Sequence, residues 1–157
     1  MKNFIYTLLC TFGLYSISYG IDRFPIIVLD NCTGKNQSSA NIYQCEKNNF
    51  DTVQQALAVF YVNIQLFFPD EYQPLLLTSQ NNWEKFSISE CKINSYQFKD
   101  YPEKKETERL RCLNYRIKAR IQHLIYIVMI WEKELGSFQI ISDHPQNLSL
   151  PFTQKDN

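Results

Sequence analysis

The longest stretch of regular apolar spacing lies in residues 38–68, where no proline or glycine interrupts the chain. Its apolar stripe repeats at i, i+4, i+8 and i+11 and consists of Val53, Leu57, Tyr61 and Ile64. This spacing places the four side chains on one face of an α-helix. Ser38 or Ser39 suits the N-cap position, and Asp51 or Thr52 either begins a second helix or lies within one bent helix.

Two prolines mark the next boundary along the chain. Pro69 precedes two carboxylates and predicts a short helical turn, because proline suits a first helical position and acidic groups suit the positive end of a helix dipole. Pro74 is predicted to open a second long helix that ends near Asn94. The side chains predicted to share one face of this helix are Leu76, Gln80, Trp83 and Phe86. Residues 94–102 are predicted to form a polar and aromatic connection.

The last long helix is predicted from a charged run followed by apolar spacing. Residues 103–109 mix both signs of charge and are interpreted as solvated opening turns. The apolar stripe that follows is Leu113, Ile117, Ile121 and Leu124. Residues 124–131 are apolar throughout and have the length of a strand, but the preceding period favours a helix that ends at Gly136. With residues 23–29 and 137–157 extended, the predicted fold class is an all-α bundle of three to four helices.

The N-terminal segment has the layout of a cleavable signal peptide. A short start containing Lys2 precedes an apolar run, and Ser18 and Gly20 are the small residues expected before a cleavage site. The apolar run is too short to span a bilayer, which disfavours the alternative of an uncleaved anchor. We therefore predict a signal peptide over residues 1–20 and a single domain over residues 21–157, with its core in about residues 30–135, in a periplasmic or secreted protein.

Charge and composition narrow the classes of partner. The full chain has 16 Lys and Arg, 16 Asp and Glu, and formal net charge 0, so removal of Lys2 with the signal leaves about −1. This balance disfavours nucleic acid and anionic membranes as partners. No membrane insertion is expected after cleavage of the signal. Ten Tyr and eleven Phe indicate a packed domain rather than a disordered one.

Four cysteines remain after the predicted cleavage: Cys32, Cys45, Cys91 and Cys112. An even number in an exported protein predicts two disulfides, for which three connectivities are possible. Short loops favour the pairs Cys32–Cys45 and Cys91–Cys112. A zinc site is the alternative, but no C-x-x-C pair is present and the two histidines are not spaced as ligands. We predict no metal, no other cofactor and no catalytic thiol.

Three blocks of residues resemble a known family. The first block is Cys45 followed by Phe50, Leu57 and Tyr61. The second is Leu77-x-x-Gln80-x-x-Trp83-x-x-Phe86-x-x-x-x-Cys91. The third is Cys112 followed by Arg120 and Leu124. Together they resemble the LprI-like lysozyme inhibitors over about residues 30–135, and the resemblance implies a periplasmic helical protein, some of whose relatives inhibit lysozyme.

The chain departs from the family pattern at four positions. Gln54 and Ala58 stand where the family has Asp and Asn, and Ser87 and Ile88 stand where it has Arg and Asp. The resemblance implies that the family's polar and charged groups at these positions stabilise the bundle or meet a partner, and this chain lacks them.

The signature residues are interpreted mainly as structural. Leu57, Tyr61, Trp83 and Phe86 are expected in the core, because large side chains on a helical stripe gain most from burial. Gln80 is expected to bond to backbone or to another helix, and Arg120 to act as a structural ion pair or helix tether. The full signature set is Leu57, Tyr61, Leu77, Gln80, Trp83, Phe86, Arg120 and Leu124.

A binding function is favoured over an enzymatic one, because no set of nucleophile, base and orienting residue is recognisable. Lysozyme cleaves its substrate with two carboxylates, so an inhibitor that enters the cleft must carry groups able to meet them. The candidate partner-contacting residues are Lys104, Lys105, Arg109 and Arg111, beside Cys112. A merely solvated charged face is the alternative for these residues. The competing functions are an immunity protein against a secreted wall-degrading toxin effector and a structural or stress-related envelope module.

Overall fold

The computed structural model describes Phe24, residues 27–34 and residues 37–140. Three long α-helices account for most of this part of the chain: α1 (Ser39–Phe67), α2 (Gln73–Ser95) and α3 (Pro102–Leu135). Short 3-10 turns, Asp70–Tyr72 and Tyr96–Phe98, lie in the two connections, and no strand occurs among the described residues. The predicted all-α fold class is confirmed. The predicted signal peptide lies outside the described residues, as do residues 141–157 of the predicted tail.

Helix α1 is one continuous helix of 29 residues, which settles the alternative left open at Asp51 and Thr52. Ser38 is its N-cap, and the Ser38 hydroxyl oxygen accepts a hydrogen bond from the backbone N–H of Asn41 at 3.2 Å. Thr52 lies within the helix, and its hydroxyl donates to the backbone carbonyl of Asn48 at 2.9 Å. The hydroxyl is therefore satisfied without a helix end at this position.

Pro74 lies in the first turn of α2, as predicted. Helix α3 runs through residues 124–131 without interruption. The helical interpretation of that apolar run is therefore confirmed, and the strand alternative is wrong. Gly136 caps α3 with a φ of 89°, a left-handed backbone conformation that favours glycine.

The three helices run up, down and up. Glu46 near the start of α1 bonds to Arg111 near the start of α3, and Phe68 after α1 packs on Trp131 near the end of α3, so these two helices are parallel. Helix α2 is antiparallel to both, because Cys91 near its end pairs with Cys112 near the start of α3. The core lies mainly between the stripes of α1 and α3.

An aromatic cluster closes one end of the bundle. Phe138, just beyond α3, is fully buried, with ring centroids 5.5 Å from Phe60, 5.4 Å from Phe67 and 6.1 Å from Phe24. Residues before α1 and after α3 therefore complete the core together. The segment between the predicted N-terminal arm and α1 also contacts α1, because the backbone N–H of Asp30 donates to Asn49 Oδ1 at 2.9 Å and its carbonyl accepts from Asn49 Nδ2 at 3.0 Å.

The prediction that Phe86 faces the core is wrong. Its side chain is 55% exposed, whereas the buried residues of α2 are Gln80, Ser87, Cys91 and Ser95. At about 100° per residue, Phe86 lies roughly 120° around the helix from Gln80. The buried face of α2 is small or polar, so an apolar pattern did not mark it.

Candidate functional site

Both disulfides lie at one end of the bundle, which we call the disulfide end. The bonds are Cys32–Cys45 and Cys91–Cys112, so both predicted pairings form. Glu46 follows Cys45 in the chain and Arg111 precedes Cys112, and the Arg111 side chain donates a hydrogen bond to the Glu46 carboxylate. One cross-link at this end holds the segment before α1 to α1, and the other holds α2 to α3.

A buried carboxylate joins α1 to α3 between the two disulfides. Glu46 is 5% exposed and accepts hydrogen bonds from Arg111 Nε at 2.8 Å and from Asn114 Nδ2 at 2.9 Å. The Asn114 amide also donates to the Glu46 carbonyl at 3.0 Å. Burial lowers the pKa of Arg111, but its bonds and charge contacts with Glu46 and Glu108 outweigh burial and raise it overall. The guanidinium is thus firmly charged and fixed in place.

The connection between α2 and α3 projects beyond this disulfide end, and we call residues 96–101 the tip. The backbone N–H of Lys99 donates to the Tyr96 carbonyl at 3.0 Å, and that of Tyr101 donates to the Phe98 carbonyl at 2.9 Å. Tyr96 and Tyr101 are 61% and 67% exposed, while Phe98 is half-buried beneath the Lys104 ammonium, 4.4 Å from its ring centroid. The tip is a compact turn with aromatic groups facing outward.

A groove of about 530 Å³ lies between α2 and α3 beside Cys112. Exposed Ile93 and Tyr115 line it, together with the ion pair of Glu90 with Arg116 and the side chain of Arg111. Sequence reasoning missed Tyr115 and Ile93. The available signal was helical phase, because Tyr115 lies two residues from core residue Leu113 and so points to the opposite face of α3.

The four predicted partner-contacting cations do not form one free cluster. Arg109 is paired with Glu106, with its Nε 2.8 Å from Oε2, and Arg111 bridges Glu46 and Glu108. Lys104 is exposed and Lys105 is half-buried, and both follow the tip. Of the four, Arg111 lines the groove.

A second polar cluster gathers four signature residues from the three helices: Tyr61, Gln80, Trp83 and Arg120. Arg120 is 5% exposed and donates to Gln80 Oε1 at 3.1 Å, with its guanidinium carbon 5.6 Å from the Trp83 ring centroid. It also donates to Ser79 Oγ at 3.0 Å. Arg120 therefore tethers α3 to α2.

Burial sets the ionisation of this cluster. It lowers the pKa of Arg120, raises the pKa of Tyr61 to about 12, and raises the pKa of Glu84, whose carboxylate accepts from Gln80 Nε2 at 2.9 Å. The cluster holds the buried Arg120 cation beside the half-buried Glu84 carboxylate, whose charge opposes the lowering of the Arg120 pKa. Its geometry is that of a helix contact.

The other signature residues divide between core and surface. Leu57 and Leu124 are fully buried in the α1–α3 core, while Leu77 is 49% exposed and Phe86 lies outside the core as described above. The departures from the family pattern are mostly interior, since Gln54, Ala58 and Ser87 are 7%, 3% and 0% exposed. These three departures therefore lie inside the helix packing and not on an exposed face.

The described residues show neither a cluster of metal ligands nor a membrane-spanning helix. No group of three His, Cys, Asp or Glu side chains there is arranged to hold a metal ion. None of the three helices has an apolar stretch long enough to cross a membrane.

These features define the chain as a small helical bundle cross-linked by two disulfides, with a polar helix contact at its centre. The family model described as lysozyme inhibitor LprI matches residues 31–124, which include both disulfides and all the signature residues. The chain belongs to this lysozyme inhibitor family. No curated protein and no solved structure gives a significant match.

Proposed function

We propose that the protein is an exported inhibitor of lysozyme that acts by binding the enzyme and carries out no reaction of its own. The observation that carries this proposal is the family match over residues 31–124, since it spans the whole disulfide end and the Arg120 cluster. A rigid surface with exposed Tyr and Ile side chains supports the proposal, because a surface that is already ordered loses little conformational entropy when it binds a partner.

Export to the periplasm or the medium, with residues 1–20 removed and residues 21–157 forming one domain, is part of the same proposal. Two disulfides favour an oxidising compartment. Phe24 packs on Phe60 and Phe138, so cleavage after Gly20 leaves the core intact. Intact mass of the exported protein tests this, with Ile21 as the expected first residue. A chain that keeps residues 1–20 would contradict it.

Inhibition is tested by a turbidity assay of cell-wall lysis. Purified oxidised protein is titrated against several lysozymes, and we expect lysis to slow and then stop near equimolar protein for at least one of them. Unchanged lysis by every enzyme at large excess would remove the proposal.

A second substrate separates inhibition from protection of the wall. A soluble chromogenic chitin oligosaccharide offers the same bond without a wall surface, so an inhibitor of the enzyme must slow its cleavage too. Slower lysis of walls with unchanged cleavage of the oligosaccharide would indicate binding to the wall, and would contradict inhibition.

A further inference from the structure

Positive and negative charges are unevenly distributed along this chain of zero formal net charge. Residues 92–120 contain nine Lys or Arg and four Asp or Glu, a formal charge of +5. Because the whole chain has net charge 0, the remainder carries −5. The positive segment comprises the end of α2, the tip and the first half of α3.

The exposed part of this positive charge lies around the tip. Arg111 and Arg116 are paired with carboxylates from α1 and α2, and Arg120 is buried. The lysines around the tip differ, since Lys92, Lys99 and Lys104 are exposed and take part in no ion pair within the described part of the chain. An acidic partner surface therefore meets three unpaired ammonium groups here, against the two exposed carboxylates of Asp100 and Glu103.

The tip also has the rigidity and the side chains of a binding element. The Cys91–Cys112 disulfide joins the two helices below it, and Pro102 begins α3 immediately after Tyr101. Tyr96 and Tyr101 are exposed aromatic groups with few torsions to restrict. Lys99 stands between them, with its ammonium 5.7 Å from the Tyr96 ring centroid.

On the basis of the proposed function, we propose that the tip, residues 96–101, is the inhibitory element and that it occupies the substrate cleft of lysozyme. That cleft is lined by the pair of carboxylates that cleaves the glycosidic bond, so it is complementary to an exposed ammonium group. Lys99 meets these carboxylates, and Tyr96 and Tyr101 pack on the cleft walls where sugar rings otherwise lie. Occupation of the cleft blocks the substrate without any covalent step.

Another exposed apolar surface fits this partner less well. Tyr126, Met129 and Ile130 form an exposed stripe near the end of α3, far from both disulfides. This stripe lies outside the positive segment, and residues 132–134 beside it are Glu-Lys-Glu. It has no charge complementarity to an acidic cleft.

Neighbouring residues of opposite charge at the tip provide a matched test. Asp100 is exposed beside Lys99, and its carboxylate must face the same acidic cleft. We expect Lys99→Glu to raise the inhibition constant by roughly tenfold or more, and Asp100→Asn to lower it by about two- to fivefold, because like charges at an interface oppose binding and opposite charges favour it. Lys133→Glu, an exposed change at the other end of α3, is expected to change it by less than about twofold.

The assay is inhibition of soluble oligosaccharide cleavage by the oxidised exported protein and its variants, at low and at moderate salt. All three substitutions are at exposed positions, and circular dichroism with thermal melting checks that each variant folds as the parent does. The effects at Lys99 and Asp100 should shrink as salt increases, whereas a Tyr96→Ala loss should persist.

The outcomes separate the two proposals. If the parent protein inhibits no lysozyme, the proposed function fails. If the parent inhibits and Lys99→Glu, Asp100→Asn and Tyr96→Ala all inhibit equally well, the function stands and the assignment of the tip is wrong. Binding that a saturating, non-hydrolysable oligosaccharide spanning the whole cleft does not reduce would also overturn occupation of the cleft.

Discussion

Replacement of Phe138 by Ala tests whether the segment beyond α3 is part of the core. The side chain is fully buried among the rings of Phe24, Phe60 and Phe67. Burial of about 150 Å² of ring at roughly 25 cal/mol per Å² corresponds to about 4 kcal/mol. This agrees with the roughly 3–5 kcal/mol usually lost when a buried Phe becomes Ala. We expect a loss near the lower end, because Phe138 lies in a non-helical segment beyond α3, which relaxes more readily than a helix.

The matched control is Phe86→Ala, the same substitution at a side chain that is 55% exposed and lies 5.9 Å from the Arg116 guanidinium. It should lose at most about 1 kcal/mol. Urea unfolding of the oxidised protein measures both, and the Phe138 variant should also melt roughly 10 °C lower than the parent. Equal losses for the two variants, or a larger loss at Phe86, would refute the packing described for Phe138.

Three further predictions concern the cross-links and the Arg120 cluster. The Cys91–Cys112 bond closes a loop of 21 residues, so its removal in a variant with Ala at both positions should lower the free energy of unfolding by about 3 kcal/mol. An unchanged urea midpoint would contradict this. Gln80→Met should lower the free energy of unfolding by about 1.5–3 kcal/mol, because it leaves the buried Arg120 guanidinium short of an acceptor. Arg120→Met should lower it by less than about 1 kcal/mol, because it removes the buried charge itself. The reverse order in urea unfolding would refute the tether. The pKa of Tyr61 is raised to about 12 in the folded protein, so below pH 10 the phenol is neutral in both the folded and the unfolded states. From pH 10 towards 12 the phenol ionises first in the unfolded chain, and the free energy of unfolding therefore falls. Tyr61→Phe should make that fall less steep, and an identical alkaline slope would count against the burial of this hydroxyl.

Helices α1 and α3 were predictable because each buries an unbroken apolar stripe on helical spacing. Val53 and Leu57 on α1 face Ile117 and Ile121 on α3, and all four are at most 1% exposed. The cysteine pairing was also predictable, since the favoured short loops, of 13 and 21 residues, are the ones that form.

The orientation of α2 could not be read from hydrophobicity. Its contact with α3 uses Gln80, Ser87 and the disulfide, which an apolar pattern cannot identify, and Phe86 is large but lies off that face. Polar contacts between residues far apart in sequence were equally hidden. Glu46 and Arg111 are 65 residues apart, and neither has a local feature that indicates its partner.

The candidate site was only partly visible in the sequence. The sequence marks the charged run after the tip, but Arg111 is paired with Glu46 of α1, which only the fold brings beside it. The pairs of Arg109 with Glu106 and of Arg111 with Glu108 are local, because their members lie three residues apart on α3. The balanced whole-chain charge concealed the positive segment. Exposure of Tyr96 and Tyr101 depends on how the turn projects from the disulfide end, which residue types alone do not determine.

Hydrogen–deuterium exchange of the oxidised protein, alone and with an excess of the lysozyme that it inhibits, tests the central claim most directly. The account predicts slower exchange on binding in peptides that cover the tip and the adjoining turns, residues 92–105, with no change near the aromatic cluster around Phe68 and Trp131. Protection confined to that opposite end would contradict binding through the disulfide end, and so would an exchange pattern that lysozyme leaves unaltered.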